Sequence, residues 1–166
     1  MNDIIILGLL VESPKHGYRL KQDAAMFAGA QQLHNNTVYP LLKRFMKQGW
    51  ITQKETEGDR GQTRLLYALT PAGRSALIEK LAEFPEADVT SAQAFRLRIG
   101  LFDLLTRQQR ESILRLRDEY LSTRLKRVQQ IGKSRELGTW GASTVSFVAK
   151  ELQLERRWIG QLMAQI

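Results

Sequence analysis

The chain contains no cysteine, which removes disulfides, thiolate nucleophiles and cysteine-based zinc sites together. Histidine is almost as scarce: His16 and His34 are the only two, too few for a metal centre and poorly placed for acid–base work. No run approaches the ~20 consecutive apolar residues that span a bilayer. The opening "MNDIIILGLLVE" has an acid at residue 3, where a signal peptide carries basic residues. These absences predict a globular cytoplasmic protein with no metal, no cofactor, no membrane segment and no enzymatic constellation. What is abundant is positive charge. Lys and Arg number 25 against 17 Asp and Glu, a net charge of +8, with an isoelectric point near 10.0. Such a balance favours an anionic partner such as nucleic acid. At 166 residues, 43% of them hydrophobic, the chain suffices for one ordinary domain or two small ones.

Ile4 to Leu10 form a short apolar helix behind Asn2 or Asp3 as a cap, and "SPKHG" ends it. After Gly17, Tyr18, Leu20, Ala24 and Phe27 follow at helical spacing. In "NNTVYPLLKRFMKQGW", Val38, Leu41, Leu42, Phe45 and Met46 make one apolar face, leaving Thr37, Tyr39, Lys43, Arg44 and Lys47 outside. Asn35, Asn36 or Thr37 can cap that helix, Pro40 falls in its first turn if Thr37 is the cap, and Gly49 suits its end. The β-prone runs "WITQKET" and "RLLYALT" flank "EGDRGQ", a hairpin with Arg60, Gln62 and Arg64 at or beside its tip. "TPAGRSALIEKLAEF" supplies Thr70 as N-cap and Pro71 at the first helical position. Three helices, a hairpin and a closing helix make a winged helix-turn-helix, in which the third helix enters the major groove and the hairpin reaches a neighbouring backbone.

The ordered set "ILGLL", "HGYRL", "TVYPLLKRFMKQGWI" and "LYALTPAGR" resembles the N-terminal domain of the PadR family of bacterial transcriptional regulators across most of residues 4–75. One departure lies at "AGAQQLHNN", where members often carry an aromatic pair and this chain has Leu33 and His34. The resemblance implies DNA binding by residues that also have blander readings. Arg44 suits guanine edges or phosphates because its planar fork bonds two acceptors, whereas Lys43 and Lys47 suit phosphates. Outside such a fold these cations would be an ordinary solvated face. Asn36, Thr37 and Tyr39 lie at the groove end of the helix, although Tyr39 could simply brace Leu42 or Lys43. Tyr18 reads as a backbone contact or a half-buried core edge; Arg60, Gln62 and Arg64 read as wing contacts or plain turn residues.

In the second half, "FPEADVTS" reads as a linker, and "AQAFRLRIGLFDLL" as a connecting helix with Phe95, Ile99, Phe102 and Leu105 along one side. Thr106 and Gln109 form a capping box for a helix of about 25 residues. In it Leu114, Leu121 and Val128 stand seven apart, with Leu125 between them; in the last segment Leu152, Ile159 and Leu162 fall at helical spacings. Stripes this long need a partner, and the reading assigns them to a dimer interface. "FRLRIGLFDLLTRQQRESILRLRDEYL" and "LERRWIGQL" resemble the helical dimerisation domain of virulence-activator-type members. The arginine surplus of this half, 14 Lys and Arg against 9 Asp and Glu over residues 84–166, reads as pairing at helical spacing, with a second DNA-facing surface as the alternative.

The expected architecture is therefore mainly α: a winged helix-turn-helix domain over residues 1–84, a linker over 85–91 and a long-helix dimerisation domain over 92–166. The expected function is a homodimer reading an inverted-repeat operator in double-stranded DNA. The family resemblance implies a repressor of its own or a nearby promoter, released by a small aromatic effector. A pocket near Phe95, Phe102, Trp140 and Trp158 is one place for that effector, and a hydrophobic core is the alternative reading of the same aromatics. The competing expectation is a ligand-independent activator or co-regulator acting with a partner protein.

Overall fold

The computed structural model describes residues 1–28, 35–57, 62–134 and 136–166, with the backbone alone described at 27, 28, 35 and 36. Two compact units divide the chain. The first comprises Met1–Glu83 and Leu97–Leu104, the second Phe84–Arg96 and Leu105–Ile166.

In the first unit the elements run α1 (Asn2–Glu12), β1 (Lys15–His16), α2 (Gly17–Ala28), α3 (Asn35–Lys47), β2 (Ile51–Glu57), β3 (Thr63–Leu69) and α4 (Pro71–Ala82). Helix α1 buries every residue from Ile4 to Leu10. A helix apolar on all sides belongs at the centre of a core, and Leu20, Ala24, Val38, Leu42, Phe45, Leu77 and Leu81 complete that core. No side chain caps α1; the expected cap Asp3 instead pairs with Arg44 and Lys80. The antiparallel sheet has the order β1-β3-β2. Its hairpin places Ile51 opposite Leu69 and Glu57 opposite Thr63, while the two-residue β1 sets Lys15 opposite Tyr67. The "LTPAGR" motif has a mechanical explanation. The Thr70 hydroxyl accepts from the Gly73 amide at 3.0 Å and donates to the Gly49 carbonyl at 2.7 Å, tying α4 to the turn after α3. Gly73 packs so closely that a Cβ there would stand 2.0 Å from the Trp50 carbonyl oxygen. Gly49, with φ of 70°, closes α3 as expected.

Helix α3 starts at Asn35, so Thr37 lies inside it and Pro40 sits beyond the first turn, where its ring removes one backbone hydrogen bond. Segment 97–104 returns to this unit. The guanidinium of Arg98, buried, donates to the carbonyls of Leu81 at 3.3 Å and Glu83 at 2.8 Å.

The second unit holds α5 (Glu86–Thr90), most of α6 (Ala92–Ile99), α7 (Arg107–Ser134) and α8 (Thr139–Met163). The stretch read as a linker thus contains a helix, and the Val89 carbonyl accepts from Arg117 on α7. The capping box forms: the Thr106 amide donates to Gln109 Oε1 at 2.9 Å and the Gln109 amide to Thr106 Oγ1 at 3.3 Å. Helices α7 and α8 form an antiparallel pair whose register is fixed by ion pairs. Arg117 reaches Glu155 at 2.8 Å, and Arg156 grips Asp118 with two hydrogen bonds of 2.7 and 3.0 Å. Hydrogen bonding to Asp118 holds the Arg156 guanidinium above its ordinary pKa.

The residues expected at a dimer interface pack within this chain. Leu114, Leu121, Leu125, Leu152 and Ile159 are buried within the single chain, and Val128 and Leu162 are half-buried. Their partner is the facing helix of the same chain, because a hairpin of two long helices closes its own seam. Among the described residues, no helix is long and apolar enough to cross a membrane.

Candidate nucleic-acid interface

Helix α3 buries Val38, Leu42 and Phe45, and that orientation dictates what it presents outward. Tyr39, Lys43 and Lys47 are all exposed, and their four-residue spacing lines them up on one face. Lys43 and Lys47 have no ion-pair partner among the described residues. Arg44 is placed differently. Its Nη2 donates to Asp3 on α1, and its guanidinium carbon lies 5.1 Å from the Phe45 ring centroid. The residue selected for base recognition is therefore engaged within its own unit. Thr37 is half-buried; the backbone of Asn36 lies in α3.

Around the start of α2, Tyr18 is 65% exposed, and its hydroxyl accepts from Gln22 Nε2 at 2.6 Å. Arg19 pairs with Asp23 at 3.2 Å, and Lys15 with Glu12 at 3.2 Å. On the hairpin, Gln62 and Arg64 are exposed, and the Arg64 carbonyl accepts from Thr56 Oγ1 at 3.1 Å. Arg60 lies outside the described residues.

The sequence reading missed Tyr67. Only 4% exposed, it lines a cleft of about 450 Å³ together with Tyr18, Tyr39, His16 and Arg64. Burial, with the Tyr39 phenol beside it, pushes the Tyr67 hydroxyl above its ordinary pKa of 10.0. The available signal was "KH" ahead of Gly17, which forms the short strand that opens the cleft beside β3.

Of the four aromatics assigned to an effector pocket, Phe95, Trp140 and Trp158 belong to the second unit. Phe95 is buried, edge-on to Trp158 at 5.9 Å and 6.3 Å from Phe84, so it serves as core, while Trp158 is half-buried. Trp140 is 86% exposed at the start of α8, and Phe102 belongs to the first unit. The second unit has a groove of about 790 Å³ lined by Arg96, Arg117, Tyr120, Arg124, Arg157 and Trp158, among others. Arg117 is buried in its wall, over the rings of Phe95 at 5.5 Å and Tyr120 at 5.4 Å.

The model of the "Transcriptional regulator PadR-like family" matches residues 6–79. The negative transcriptional regulator PadR of Bacillus subtilis is 24% identical over 178 residues, covering 97% of this chain and 94% of the relative. Among solved structures, Bacillus subtilis PadR in complex with operator DNA aligns with a TM-score of 0.47 at 20% identity, over 99% of this chain and 97% of that one. A transcriptional regulator from Clostridium thermocellum aligns with a TM-score of 0.43 at 28% identity, over 47% and 76%.

Proposed function

We propose that this chain, whose residues 6–79 match the model of the PadR-like family of transcriptional regulators, is a repressor that binds an inverted-repeat operator as a homodimer. The observation that carries this reading is the row Tyr39–Lys43–Lys47 on the outer face of α3, whose inner face is locked into the core. A rigid helix with free ammonium groups suits the phosphates flanking a major groove, and Tyr39 at its leading end suits a base edge or sugar. The name of the Bacillus subtilis relative, a negative regulator, supports repression.

The second copy docks on the outer face of α8. Trp140, Phe147 and Leu154 stand seven residues apart, 86%, 61% and 62% exposed. Two such stripes related by a two-fold axis cover each other. Two heads then read half-sites about one DNA turn, roughly 34 Å, apart. The groove of the second unit takes a small aromatic effector, since its lining sets Tyr120 and Trp158 among charged side chains of both signs, Arg96, Arg124 and Arg157 with Glu151 and Glu155. A ligand that changes DNA affinity ~10–100-fold needs only ~1.4–2.8 kcal/mol of differential binding between two states.

Fluorescence anisotropy tests the DNA reading. The duplex upstream of the protein's own gene is compared with a scrambled duplex across a salt series. Nanomolar binding near physiological salt, about a thousandfold above the scrambled control, is the expected result. Equal and steeply salt-sensitive binding to both duplexes would refute operator specificity.

A further inference from the structure

We propose that the cleft between the start of α2, the first half of α3 and β3 seats one phosphate of the DNA backbone, with the Tyr67 hydroxyl donating to it. The inference rests on the DNA-binding reading and extends it to a residue outside the recognition helix.

Three observations converge on it. Tyr67 lies in β3 opposite Lys15 of β1, and β1 runs directly into α2 at Gly17, where a Cβ would stand 3.3 Å from the Tyr67 ring, so a twelve-residue helix starts beside that ring. Helix N-termini of this kind attract anions. The second observation points to a ligand independently of that helix. Tyr67 is 96% buried by its 4% exposure, yet its hydroxyl has no hydrogen-bond partner among the described residues. No fully buried side-chain polar atom of the described residues lacks a partner, so this hydroxyl must reach the cleft surface that Tyr67 lines. A buried aromatic that uses only its ring for packing has no need of the oxygen, and phenylalanine would serve.

The third observation concerns polarity. Tyr18 accepts from Gln22, which leaves its own hydroxyl proton directed elsewhere, and Tyr39 lines the same cleft. His16 is engaged with the Leu65 carbonyl at 3.2 Å. The cleft thus offers phenolic donors, and the raised pKa of Tyr67 keeps its proton in place at neutral pH. A phosphodiester is a singly charged group whose free oxygens only accept, which matches donors of this kind. The nearby Lys15 and Arg19 are paired with Glu12 and Asp23. Arg64 also lines the cleft, but the Tyr67 hydroxyl is uncharged, so its own contact positions the backbone without releasing a counterion.

That last property supplies the test. The full-length protein and its Tyr67→Phe variant are titrated into a 30-bp duplex from upstream of the gene and into its scrambled counterpart, across a salt series. Tyr67→Phe should bind both about five- to tenfold more weakly, with an unchanged salt slope and an unchanged thermal unfolding midpoint. Lys47→Ala, in contrast, should lower the slope by about 0.9. A panel of duplexes with single methylphosphonates gives a second measure: one position per half-site should weaken the wild type and have no further effect on Tyr67→Phe. Wild-type affinity of Tyr67→Phe alongside a weakened Lys47→Ala would overturn the phosphate seat and leave the DNA reading standing. Absence of any such methylphosphonate position would overturn it as well. Failure of the wild type to bind either duplex at low salt would remove both. Release of DNA from the wild type but not from Tyr67→Phe by inorganic phosphate at matched ionic strength would assign the cleft to a free anion instead.

Discussion

Helices α3 and α8 are both amphipathic, yet they end their apolar faces differently. In α3 the buried Val38, Leu42 and Phe45 face one core, and the opposite side is polar and cationic. In α8 the buried Leu152 and Ile159 face α7, but Trp140, Phe147 and Leu154 form a second apolar stripe on the solvent side. A helix with one apolar stripe is satisfied by its own chain. A helix with two has a face that three large side chains leave in water, at roughly 25 cal/mol per Å² of apolar surface. The first pattern suits a charged ligand, the second another copy of the same helix.

The largest effect should come from the inner stripe. Leu121→Asp puts an unpaired carboxylate where the leucine is 1% exposed, so unfolding in urea should lose about 4 kcal/mol or more. An undiminished midpoint would show that the α7–α8 seam is not closed within the chain. The outer stripe should behave otherwise. Phe147→Glu with Leu154→Glu should leave urea unfolding of the isolated chain nearly unchanged while sedimentation shows a monomer. Losing the second head should then weaken operator binding by about a hundredfold or more. A variant that remains dimeric would place the interface elsewhere.

The sequence exposed the stripes but not their owners. A heptad pattern states that a face must be buried, and it is silent on whether the burying helix belongs to the same chain; the pairs Arg117–Glu155 and Asp118–Arg156 join α7 to α8 of this chain. Local signals were read correctly where chemistry is local: Thr70 before Pro71, Thr106 with Gln109, Gly49 after α3. They failed where the partner is remote. Asp3 looked like a cap and is an ion-pair acceptor for Arg44, 41 residues on. The two-residue β1 is too short to show any periodicity, so the cleft it opens at Tyr67 stayed hidden. The helix within "FPEADVTS" stayed hidden for the same reason, because α5 is five residues long. Residues 97–104 continue the α6 pattern without a break, so nothing in the spacing marks their return to the first unit.

Smaller effects should come from the polar face of α3. Lys43→Ala and Lys47→Ala should each weaken DNA binding about three- to tenfold on any sequence and reduce the salt slope by about 0.9, read from anisotropy at four or more salt concentrations. A loss confined to one sequence would move these lysines from phosphates to bases.

The smallest expected change has the opposite sign. Asp3 holds Arg44 and stands 3.4 Å from Lys80, so one carboxylate screens two cations beside the cationic face of α3. Asp3→Asn removes that acceptor while keeping a polar side chain in the first turn of α1. The exposed pair contributes only about 0–1 kcal/mol to folding, so the thermal midpoint should drop slightly. With Arg44 released and one negative charge gone from the surface, affinity for the operator duplex should rise about two- to threefold at low salt, and the gain should shrink as salt increases. Arg44→Ala in the Asp3→Asn background should abolish the gain. If it does not, the effect of Asp3 runs through Lys80 or the general field, and Arg44 serves to fasten α3 to α1 and not to read DNA.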